Sequence, residues 1–80
     1  MKRYVATFHT HLAALRSSRS LSAKGIAAQM TPVPRKLSSS CGTCVRYESE
    51  TPKLEVLDRD TEAVYEDRAG EYTEVYRAET

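Results

Sequence analysis

The sequence predicts an α+β domain of element order βαββαβ, a ferredoxin-like sandwich with two helices on one face of an antiparallel sheet. Three observations lead there. Short β-branched and aromatic runs recur near residues 3–8, 26–31, 44–48 and 72–77. Two longer stretches between them carry apolar residues at helical spacing. The chain, at 80 residues, is long enough for a single small domain, residues 1–80, and no more.

Arg3 to Phe8 reads as the first strand. Thr10 caps a helix from His11 to Lys24, and Gly25 is its left-handed terminator. Leu12, Leu15 and Leu21, with Ala14 and Ser18, form its predicted inward face. From Ile26 to Thr31 the alternation of Ile26, Ala28 and Met30 marks a half-buried strand, which Pro32 and Pro34 end. Val45 and Tyr47 alternate with Cys44, Arg46 and Glu48 in a third strand. A second helix is expected from Pro52, with Leu54, Leu57, Thr61 and Val64 inward and Glu55 set four residues before Arg59. Gly70 would end it, and Tyr72 to Arg77 supplies the last strand.

No apolar run is long enough to span a bilayer, so no membrane partner is expected. The charge is polarised along the chain. Before Glu48 stand eight Lys or Arg and no acid, and from Glu48 onward four basic residues meet eleven acids. The halves thus carry +8 and −7, giving the +1 of the whole chain. In so small a domain this favours ion pairing between the halves over an anionic partner. The acidity of the second half and the lack of an RNP-like run argue against nucleic acid, so Tyr4, Tyr47, Tyr65, Tyr72 and Tyr76 are expected in the core or at an interface. The opening residues lack both a secretory pattern and an amphipathic transit helix, which makes a reducing cytoplasm the expected location.

Chemistry is expected at Cys41-Gly42-Thr43-Cys44, behind the stiff, basic lead-in Pro32-Val33-Pro34-Arg35-Lys36 and the run Ser38-Ser39-Ser40. Gly42 and Ser40 leave room for another backbone to approach a sulfur, Pro34 stiffens the approach, and Arg35 and Lys36 favour a thiolate. The predicted topology brings His9, Thr10 and His11 to the same edge, with Arg68 and Gly70 on the far side and the first helix's positive N-terminus aimed at the sulfur. Three readings follow from these residues. Cys41 is a nucleophile with Cys44 as partner, the pair is a disulfide oxidoreductase, or Cys41, Cys44, His9 and His11 form a zinc or soft-metal site. Against the second, the motif precedes a strand and does not open a helix. A regulatory binding module without transfer chemistry is the bland alternative.

The series Tyr4-Val5-Ala6-Thr7-Phe8-His9-Thr10, Ala14-Leu15, Gly25-Ile26, Pro32-Val33-Pro34-Arg35, Ser38 and Cys41-Gly42 resembles the small bacterial and archaeal selenium/sulfur carrier proteins. The resemblance is densest over the first 47 residues. It implies that Cys41 is the carrier thiol, framed by Pro34, Arg35 and Gly42, and that chalcogen donor and acceptor proteins are the partners. Cys44 stands where this family more usually has a small apolar residue. As a resolving thiol, Cys44 would attack a loaded Cys41, expel hydrosulfide or hydroselenide and leave a disulfide. No resident cofactor is implied beyond sulfur or selenium held transiently on Cys41, with zinc the alternative. The chain reads as a carrier more than a catalyst, and a homodimer would cover the sheet face opposite the helices.

Overall fold

The computed structural model describes residues 1–79. It contains β1 (Lys2–Phe8), α1 (His11–Ala23), β2 (Ala28–Pro32), β3 (Thr43–Ser49), β4 (Thr61–Arg68) and β5 (Glu71–Arg77). The strands form one antiparallel sheet in the order β2-β3-β1-β4-β5. The expected ferredoxin-like βαββαβ sandwich is therefore corrected: the described residues hold one helix and five strands.

The second helix fails for local reasons. Lys53 has φ +56°, outside helical backbone, and only isolated i to i+3 bonds follow, Val56 N–H to Lys53 O, Leu57 N–H to Leu54 O and Thr61 N–H to Asp58 O. Asp58 then ends the turn: the hydroxyl of Thr61 donates to its carbonyl, and its own N–H donates to Ser17 Oγ at 2.8 Å. Thr61 and Val64, expected on a helix face, lie in β4, where Thr61, Ala63, Val64 and Tyr65 are all buried. A strand covered on both faces gives an unbroken apolar run, which periodicity does not separate from a helix segment.

The first helix forms where expected, capped by Thr10 Oγ1, which accepts from Ala13 N–H at 3.1 Å. At its end Gly25 takes φ +79° and Ile26 N–H reaches back to Leu21 O. Its inward face is rotated from the expected one. Ala13, Ala14, Ser17 and Leu21 are buried, whereas Leu12 is 51% exposed. Small side chains let the helix backbone lie close to the sheet, and that closeness selects Ala and Ser over Leu12. Beneath it pack Tyr4, Ala6 and Phe8 of β1, Val45 and Tyr47 of β3, and Val64 of β4. Tyr4 and Tyr47 stack with centroids 5.4 Å apart. Ile26, Ala28 and Met30 pack against the same core, as their alternation predicted.

Val5, Thr7, Cys44 and Ala63 alternate with these residues and so project from the opposite face, yet all four are buried. No helix covers them. The β2–β3 loop does, since Lys36 within it extends to the β4–β5 turn, donating to Gly70 O at 3.1 Å. Sheet twist curls diagonal corners toward one another, which shortens that crossing.

The β4–β5 turn has two central residues in the left-handed region, Ala69 at φ +53° and Gly70 at φ +87°. This primed turn suits strand twist but penalises alanine. Ala69→Asn should stabilise the fold by about 1 kcal/mol and raise the melting temperature by about 4–8 °C in a circular-dichroism melt. An unchanged or lower midpoint would contradict the turn.

Candidate functional site

The loop carrying Cys41 is pinned along its length. Val33 N–H donates to Gly42 O at 3.1 Å, closing the β2–β3 ladder, and Leu37 N–H donates to Pro34 O at 3.0 Å in a tight turn. Ser39 Oγ donates to Phe8 O of β1 at 3.1 Å. Ser40 gives its N–H and its hydroxyl to the two carboxylate oxygens of Glu62, at 3.2 and 3.0 Å. Immediately after the cysteine, Gly42 takes φ +75°, a conformation that a side chain would strain.

Cys41 is half-buried and packs against the helix-side core. Its thiol donates to Thr43 O at 3.4 Å, with Ser39 Oγ 4.0 Å away. The histidines flank this loop from the β1–α1 connection: His11 Nδ1 lies 3.4 Å from Thr43 Oγ1, and His9 Nδ1 lies 3.9 Å from Glu62 Oε2. Thr10, next to them, is spent on capping the helix. The expected convergence of this connection on the Cys41 loop is therefore present. Arg68 and Gly70 are not part of it, because the β4–β5 turn lies at the end of the sheet where β1 begins.

Of the two expected cations, Lys36 is engaged with Gly70 O and, at 3.4 Å, with Glu71 Oε2. Arg35 is exposed and makes no ion pair among the described residues. Neither donates to the Cys41 sulfur. The predicted pairing between halves is visible in Arg16–Asp58, Lys36–Glu71 and Arg46–Asp67.

Cys44 belongs to the other side of the sheet. It is fully buried, with Thr31 Oγ1 at 3.2 Å and its thiol donating to Pro32 O at 3.6 Å. Burial pushes its thiol pKa up, against weaker opposing effects of the Thr31 hydroxyl and the Arg46 charge. The position is one that a small apolar side chain would fill. With Cys41 on the helix side and Cys44 opposite, the pair is not preset for chelation or a disulfide, and both are free thiols. Among the described residues no three His, Cys, Asp or Glu side chains gather as a metal site, so Cys41, Cys44, His9 and His11 are not assembled. A concavity of about 530 Å³, lined by Arg3, Gln29, Arg46, Glu48 and Asp67 among others, contains neither cysteine.

Sequence reasoning missed Glu62, which fell within the expected second helix. Its only signal would have been recognition of β4 as a strand.

These features define a small α+β domain that presents one accessible thiol on a fastened loop. The chain belongs to the family described as "Putative Se/S carrier protein-like", whose model matches residues 3–68. The match runs through β4, beyond the 47 residues where the resemblance is densest. Neither the curated proteins nor the solved structures yield a match. No helix among the described residues is long and apolar enough to cross a membrane.

Two outcomes follow for the thiols. In the native protein iodoacetamide should modify Cys41 well before Cys44, which should react only after denaturation; peptide mapping distinguishes them. The unfolded Cys44 thiol ionises above about pH 8.5, while the folded one holds its proton to higher pH. Its contribution to stability is complete below that value and is lost as pH rises past it. Cys44→Ala should flatten this alkaline loss in denaturant titrations, and an unaltered slope would refute the assignment.

Proposed function

We propose that the protein carries one sulfur or selenium atom on Cys41, receiving it from a donor protein and surrendering it to an acceptor protein. The observation that supports this most is the pairing of one accessible thiol with a fastened presenting loop, in a chain of the Se/S carrier family. The separation of Cys41 from the sizeable concavity also favours transfer between macromolecules over turnover of an enclosed small molecule.

The Cys41 thiolate attacks the terminal chalcogen of a donor persulfide or perselenide. A bond forms between Cys41 Sγ and that atom, the donor's bond to it breaks, and the donor cysteine leaves as its thiolate whether sulfur or selenium is passed on. The proton on the terminal atom stays with it, and no net oxidation occurs. The Ser39 hydroxyl lies 4.0 Å from the sulfur and gives its proton to Phe8 O, so a hydrogen bond to the anion would require it to turn away from that carbonyl. Gly42 and Ser40 leave the sulfur approachable, Pro34 shapes the turn leading to it, and exposed Arg35 offers a charge to an acidic donor surface. The reading calls for a reducing compartment such as the cytoplasm, where Cys41 stays reduced.

Incubation with a cysteine desulfurase and cysteine or selenocysteine, followed by intact-mass measurement and peptide mapping, tests this. Wild-type protein and Cys44→Ala should gain a reductant-sensitive chalcogen on Cys41, and Cys41→Ser should gain none. No adduct on reduced wild-type protein would reject the carrier reading in favour of a binding module.

A further inference from the structure

The β1–β4 register steps from Thr7 opposite Ala63 to Phe8 opposite Thr61, which leaves Glu62 as the extra residue of a β-bulge. A bulge redirects the side chain of its unpaired residue. Here the redirected carboxylate receives both donors of Ser40, the residue before Cys41. The backbone of the bulge is also secured, since Glu62 O accepts from Ala78 N–H at 3.0 Å. His9 approaches the same carboxylate from β1's end, so the bulge, the β1–α1 connection and the Cys41 loop meet at one group.

We propose that Glu62 is a positioning residue for transfer, fixing the backbone on one side of Cys41 so that Sγ meets a docked partner's chalcogen in line. This rests on the reading of Cys41 as the cargo-bearing thiol. Two hydrogen bonds to an ionised acceptor are strong fasteners, and misplacement of a reacting atom by a fraction of its radius slows displacement steeply. Attack on a small, freely diffusing electrophile needs no such alignment.

Glu62→Ala and Glu62→Gln separate positioning from general stability. In the alanine variant, amide exchange at Ser40 should speed up about tenfold and persulfide transfer from a cysteine desulfurase should fall about tenfold. Alkylation of Cys41 by iodoacetamide should stay within about threefold of wild type. In the glutamine variant the amide oxygen accepts from Ser40 N–H and the amide nitrogen donates to Ser40 Oγ, so exchange and transfer should both return to within about threefold of wild type. Transfer by Glu62→Ala at the wild-type rate, or no rescue by glutamine, would overturn the proposal. If wild-type protein takes up no chalcogen at all, the carrier reading fails instead. Ser40 exchange then decides the anchoring alone, and unchanged exchange in Glu62→Ala overturns it.

Discussion

β1 is hydrogen-bonded along both edges and buried on both faces, and the remaining elements are arranged to satisfy it. Its register fixes which side chains of β3 and β4 share each face, because a slip of one residue would exchange Tyr4, Ala6 and Phe8 with Val5 and Thr7. One face is covered by α1 at close range through Ala13, Ala14 and Ser17. The described residues hold one helix, so the second face must be covered by something else.

That need explains why the cysteine loop is ordered. A flexible serine-rich segment would leave Val5, Thr7 and Cys44 in water, whereas a loop fastened to β1 by Ser39, to β4 by Ser40 and to the β4–β5 turn by Lys36 keeps them dry. The fasteners fix where the loop lies, while most of the stability comes from the apolar surface they help to close. Structural and chemical duties therefore fall on the same ten residues. The charge polarity of the sequence finds its use here as well, since Lys36 and Ser40 come from the basic half and Glu71 and Glu62 from the acidic half.

The first half of the fold was legible because its signals are local. Thr10 and Gly25 bracket α1, and the alternations at Ile26 to Met30 and at Val45 to Tyr47 each have one apolar phase. The second half was obscured by two coincidences. Leu54 and Leu57 fall at helical spacing with Thr61 and Val64 though the turns after Lys53 end at Asp58 and a strand begins at Thr61, and Ala69-Gly70 forms a primed turn without the asparagine that usually announces one. Within the site, Cys41 and Gly42 could be found from residue chemistry alone. Glu62 could not, because its role depends on a bulge that exists only when β4 pairs with β1. The contacts of Lys36 with Gly70 and Glu71 were equally illegible, because they depend on how the sheet brings its corners together.

The alternation of side chains along β3 has one more consequence. Thr43 and Cys44 are adjacent in sequence but lie on opposite sides of a hydrogen-bonded layer, and Cys41 packs on the helix side while Cys44 is buried on the other. In the proposed carrier reading, attack by Cys44 on a chalcogen held by Cys41 would first require the β2–β3 pairing to open, so the motif's short spacing does not preset the two sulfurs for exchange. Resolution by Cys44 would then be timed by the free energy of local unfolding, whereas release to an outside thiol, which meets Cys41 directly, would not.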